Sequence, residues 1–264
     1  MKKINCLFVA LLFLFLSGCT NNEEDKEIVG PSIMIPNYLV INAPSSNPDT
    51  QWYVSDFHKT VEQWELETTD YSDHKMGMYE LSQYPSQEPT QSHTDAANSL
   101  VKESFDTVVR NGWLSKEKGL SDGYEKMYGD PVHFVNVEYV FDGETLNPEK
   151  PEVLMYYRTR EGDFLMGVMF LAIGKRGPQT AGPLSKWHYH IDRRMCYEQG
   201  VLPIGGVQEG GSCEAGFPNV RSPEMLHVWF FDHPAGEFAT SMWLSEELLN
   251  SGIKQVLELQ KEGA

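Results

Sequence analysis

Apolar residues fall at two different spacings along this chain, and the change between them is the first structural information it carries. Phe57, Val61 and Trp64 stand at i, i+4 and i+7 behind Ser55, which predicts a helix over 55–67. Ala97, Val101, Phe105 and Val108 repeat that spacing behind Thr94-Asp95, and Asn111-Gly112 supplies the stop, since glycine readily takes the left-handed backbone of a helix end. A shorter helix is expected around 115–128, weakened by Gly119 and Gly123. Beyond Pro131 the texture becomes short aromatic and β-branched runs: Val132 to Phe141, Val153 to Arg160, Phe164 to Ile173, Leu184 to Ile191 and Met225 to Phe231. Asp142-Gly143, Glu161-Gly162-Asp163 and the 232–236 segment provide turns, and a last helix is expected from Ser245 to about Gln260. A mostly antiparallel strand block over about 132–243, with helices before and after it, makes an α+β domain.

The first residues change the setting of that domain. Lys2 and Lys3 precede an unbroken apolar run from Cys6 to Leu16, which ends in Leu16-Ser17-Gly18-Cys19. A charged start, a short apolar stretch and small residues before the cleavage point predict a signal peptide over 1–18, too short to span a membrane. The tetrapeptide resembles the lipobox of bacterial lipoproteins, and the resemblance implies acylation of Cys19, palmitate among its chains. It also implies an anchored chain in the cell envelope, at the outer membrane because Thr20 and not aspartate follows the cysteine, facing periplasm or exterior. Residues 19–50 read as an acidic, proline-containing tether, in which Ile33 to Ile35 and Tyr38 to Ile41 are able to pair as an edge strand, and 51–264 as one globular domain.

Charge is consistent with that address. The chain has a net charge of −17, and removal of Lys2 and Lys3 leaves 19 basic against 38 acidic side chains, or −19. Nucleic acid is excluded as a natural partner, and attachment to the membrane falls to lipid. The protein partner is unspecified. Cys6 leaves with the signal and Cys19 is lipidated, so Cys196 and Cys213 are the thiols of the domain. In an oxidising compartment they pair, closing a loop worth roughly 3 kcal/mol; the alternative is Cys196 as a metal ligand.

Candidate chemistry lies in the strand block. In Trp187-His188-Tyr189-His190 the two imidazoles stand at i and i+2, on one face of a strand, with Asp192 continuing that face. His227 sits mid-strand among apolar neighbours in Met225-Leu226-His227-Val228-Trp229. If the two strands are neighbours, His188, His190 and His227 converge as a zinc or copper site, completed by Cys196, Glu224 or water. Three readings remain open: an envelope metal-binding protein, a metal-dependent enzyme with Glu224 or Asp192 as base, and a metal-free binding or assembly module whose histidines only pack. His58, His74, His93 and His133 have no partner spacing and read as incidental. Nucleotide-binding loops, serine-hydrolase elbows and zinc-protease helices leave no trace in the sequence, so no nucleotide cofactor is expected.

Two further resemblances bear on this segment. Gly182, five residues, then His188-x-His190 resembles the opening of the first cupin motif, which implies a metal-holding strand pair; the glutamate that motif carries next is replaced by Arg194 and Met195. The phrases Trp187-His188-x-His190, Met225-Leu226-His227-Val228-Trp229 and His133-Phe134-Val135-Asn136 are together similar to a group of secreted bacterial proteins without an assigned activity. This similarity implies that the phrases belong to one domain.

Overall fold

A computed structural model describes residues 37–40, 53–56, 77–84, 86–191, 195–218 and 222–262. The chain divides into units 1–34 and 35–264, and the described residues all belong to the second. They form the α+β arrangement expected, dominated by sheet. The strands are β1 (Asn37–Val40), β2 (Tyr53–Asp56), β3 (Gly77–Ser82), β4 (Tyr124–Lys126), β5 (His133–Asn136), β6 (Val153–Arg158), β7 (Asp163–Ala172), β8 (Trp187–Ile191), β9 (Met195–Glu198), β10 (Leu202–Gly206), β11 (Phe217–Pro218) and β12 (Glu224–Trp229). The helices are α1 (Gln91–Asn111), α2 (Lys116–Ser121), α3 (Val137–Val140) and α4 (Glu246–Glu262). Nine of the described strands make one antiparallel sheet in the order β1-β2-β3-β8-β12-β7-β6-β5-β4, and β10-β9-β11 make a small second one.

The sheet is buried on both faces at its centre, which explains why its strands read as nearly continuous apolar runs. One face carries Trp187, Tyr189, Leu226, Val228, Phe230, Phe170 and Leu154 and is covered by Leu100, Phe105 and Val108 of α1. The other carries Met225, Trp229, Phe231, Met169, Leu171, Val153 and Met155, against which Leu248, Leu249 and Ile253 of α4 pack. Burial at both faces stabilises each large side chain by roughly 1.5–3 kcal/mol, so the middle strands have little freedom to slip register.

Several boundaries move for identifiable reasons. Ser55 does not start a helix: residues 53–56 form β2, and the remainder of the predicted 55–67 helix lies outside the described residues. Helix α1 begins earlier than Thr94-Asp95, because Thr90 is its cap, accepting from His93 N–H while the His93 ring accepts from Thr90 N–H. It stops at Gly112 in the left-handed conformation, as expected. The 115–128 helix is shorter, six residues followed by β4, since Gly123 turns the chain at φ +94°. The 132–141 strand stops at Asn136, whose side chain accepts from Glu138 and Tyr139 N–H and so caps the one-turn helix α3. Within the stretch expected as a tether, Asn37–Val40 pairs with β2 as the edge strand β1.

One glycine sets how closely the central strands approach. Gly167 of β7 faces β12, and a Cβ built there meets Met155 Cε at 2.7 Å, the Trp229 Cα at 3.2 Å and, closer still, the Val228 carbonyl oxygen. The side chain can yield but the Val228 carbonyl is main chain in a hydrogen-bonded strand. Gly167→Ala is therefore expected to destabilise the fold by about 1–3 kcal/mol, read as a lowered urea midpoint; an unchanged midpoint contradicts this close approach.

Candidate metal centre

Side-chain alternation decides which groups can meet on the sheet. β8 and β12 are neighbours, with Met225 directly opposite His188. His188 and His190 therefore share a face with Met225 and, two residues on, with His227. The rings of His188 and His227 lie 4.7 Å apart between centroids, and those of His188 and His190 5.5 Å apart. These three expected residues are thus brought together.

A fourth histidine joins them that spacing alone did not reveal. His133 begins β5, separated from β12 by β6 and β7, yet its ring stacks against His227 at 5.9 Å. Across a flat sheet three strand steps amount to roughly 14 Å, so this face must be concave. Asp130 fixes the ring: one carboxylate oxygen accepts from Val132 and His133 N–H, and the other bonds His133 Nδ1 at 2.6 Å. Asp130-x-x-His133 is the local signal that was present in the sequence, a carboxylate placed to orient an imidazole.

Hydrogen bonding sets the state of the rings. His188 Nδ1 is 3.1 Å from the Lys186 carbonyl oxygen, and His227 Nδ1 is 3.2 Å from that of Ala239. A carbonyl only accepts, so both Nδ1 atoms carry the proton and both Nε2 atoms present a lone pair. His188 and His227 are 0% exposed, and the Nε2 atoms of His133, His188 and His227 have no hydrogen-bond partner among the described residues. Burial, reinforced by His190 and His133, pushes the His188 imidazolium down to about 3. Burial also pushes His227 well below its ordinary value, with His188 and His133 adding to the effect. For Asp130, burial pushes the carboxyl up, but the hydrogen bond and charge of His133 outweigh it and hold it at about 2. Neutral imidazoles with Nδ1–H donated to oxygen are the form in which histidine binds a transition metal.

The other expected ligands are elsewhere. Cys196 is disulfide-bonded to Cys213 and lies on β9 of the second sheet, so it offers no thiolate and is not a ligand. Glu224 stands an odd number of residues from His227 and so occupies the opposite face. There it binds Arg176 Nη1 at 2.6 Å and Gly177 N–H at 3.0 Å, an arrangement that leaves it unsuited as base to the histidines. Asp192 and Cys19, like His58 and His74, lie outside the described residues. Among the described residues, no three His, Cys, Asp or Glu groups stand in the geometry of a metal site. Glu80, which is buried, faces His188 from β3.

Trp229 connects this face to a groove. Its indole lies 5.9 Å from the His227 ring and 5.5 Å from that of His233, and it also lines an open cavity of about 1010 Å³ between α1, α4 and the end of β12. Among the described residues no helix is long and apolar enough to cross a membrane. Comparison with protein-family models, with characterised proteins and with solved structures finds no match to this chain.

Two buried neutral histidines make the metal-free fold sensitive to acid. The unfolded chain takes up their protons near pH 6.5, whereas folded His188 does so only near 3, so the unfolded state binds more protons and stability falls as pH drops through that window. Two groups give a slope of up to roughly 2.7 kcal/mol per pH unit. Glu152 acts oppositely, because burial raises its carboxyl to about 8 and its contribution is lost as pH rises from 4.5 to 8. Urea unfolding of chelator-treated Glu152→Gln protein at stepped pH between 6.5 and 4.5 is expected to show the histidine slope, to which His233, also held below its ordinary value by burial, adds with the same sign. A flat profile between pH 6.5 and 4.5 contradicts buried neutral imidazoles.

Proposed function

We propose that this chain is a lipid-anchored envelope protein, acylated at Cys19, that binds one zinc or copper ion through His188 and His227, with His190 and His133 beside them. The observation that carries the reading is the pair of fully buried imidazoles whose Nδ1 protons are donated to carbonyls and whose Nε2 lone pairs have no partner among the described residues. An unsatisfied buried polar atom costs about 1–3 kcal/mol, and a metal ion relieves two such atoms at once. Two imidazoles on a tetrahedral ion with bonds of about 2.0–2.1 Å have ring centroids roughly 5 Å apart. The separation of 4.7 Å between His188 and His227 is close to that figure.

The burial of both rings favours holding an ion for structure, storage or delivery over presenting it to a substrate. Glu224, the carboxylate proposed as base for an enzyme, is turned to the opposite face and engaged by Arg176. The two-histidine core needs further donors, which a shift of His133 or His190 or a different ligand type would supply.

Metal content by mass spectrometry on the full chain, purified in detergent without metal-affinity steps, tests this directly. The expected result is near-stoichiometric zinc or copper that falls severalfold in both His188→Ala and His227→Ala while circular dichroism shows the fold retained. A folded wild-type chain that carries no metal and takes up none when zinc or copper is added overturns the proposal and leaves a metal-free binding module.

A further inference from the structure

Each histidine on the concave face has a methionine directly across from it in a neighbouring strand. The register pairs His188 with Met225, His190 with Met78, His227 with Met169 and His133 with Met155. The chain has 11 methionines in 264 residues, too few for four such pairings to follow from composition. Directly opposed residues point to the same face with Cβ atoms about 4.5–5.5 Å apart, within the reach of an unbranched thioether.

From this we infer that the metal held at this face is monovalent copper, bound by His188 and His227 together with the thioether sulfurs of Met169 and Met225. The inference rests on the metal-binding reading above and narrows it. These four residues lie on three adjacent strands, β8, β12 and β7, and form one contiguous patch. Met169 is 2% and Met225 8% exposed, so the sulfurs are withheld from water as the imidazoles are. Thioether sulfur is a soft ligand that selects Cu(I), while zinc prefers thiolate, imidazole and carboxylate. Packing alone would account for buried methionines, but it does not require them opposite every histidine of the cluster.

The test uses the full chain in detergent under anaerobic conditions. Cu(I) is supplied as its acetonitrile complex against a chromophoric Cu(I) chelator, and zinc is titrated separately against a zinc chelator. Wild type and Met169→Leu/Met225→Leu are compared, with leucine keeping the volume and a urea midpoint checking the fold. Wild type is expected to take up one Cu(I) per chain, with sulfur scatterers in the copper X-ray absorption spectrum. The double variant is expected to lose at least about tenfold in Cu(I) affinity while its zinc affinity stays within about twofold. Unchanged Cu(I) affinity in a folded double variant, or zinc held in preference to Cu(I), overturns the copper assignment while leaving the metal-binding reading standing. Binding of neither metal by the wild type overturns both.

Discussion

A strand buried on both faces has no solvent to satisfy a polar side chain, and β12 is such a strand. Its residues alternate between the layer under α1 and the layer under α4, and every one of them from Glu224 to Trp229 is buried. Any polar group placed there must find a partner inside the protein. Glu224 finds Arg176 and Gly177 N–H on one face. His227 finds half a solution on the other, a carbonyl for Nδ1 and, among the described residues, nothing for Nε2. The same half-solution recurs at His188 in the adjoining strand and at His133 across the concavity.

The close passage of β7 and β12 at Gly167 and the inward curl of the sheet bring these half-satisfied rings together. Oxygen acceptors fix the tautomers of His188 and His227, and burial keeps those two rings neutral. The elements that build the cluster are therefore the ones that build the core, and the acid sensitivity of the fold and the proposed affinity for a metal rest on one arrangement. Methionines stand opposite the rings in the strand register, and the soft-metal proposal rests on that register.

Much of this was legible from local pattern. The i, i+2 histidines in Trp187-His188-Tyr189-His190 share a face as strand alternation requires, and α1 ends at Gly112 where the glycine stands. The opposite facing of Glu224 and His227 follows from the same parity. What was not legible depends on contacts distant in sequence. His133 meets His227 only because four strands curl, and no spacing within the chain reports that curl. Ser55 has the form of a helix cap, but pairing with β1 and β3 outweighs that local preference. The methionine register emerges only once strands are aligned, because single methionines in apolar runs look like packing. Cys196 was open between bridge and ligand until its partner was placed.

The central claim is that the Nε2 lone pairs of His188 and His227 converge on one ion. Anomalous diffraction at a metal absorption edge, from crystals of protein loaded with zinc or with Cu(I), tests it most directly. The account predicts a single strong peak on the concave face within bonding distance, about 2.0–2.1 Å, of both Nε2 atoms. Density at the metal edge confined to surface carboxylates, with the two buried rings unliganded, would contradict it.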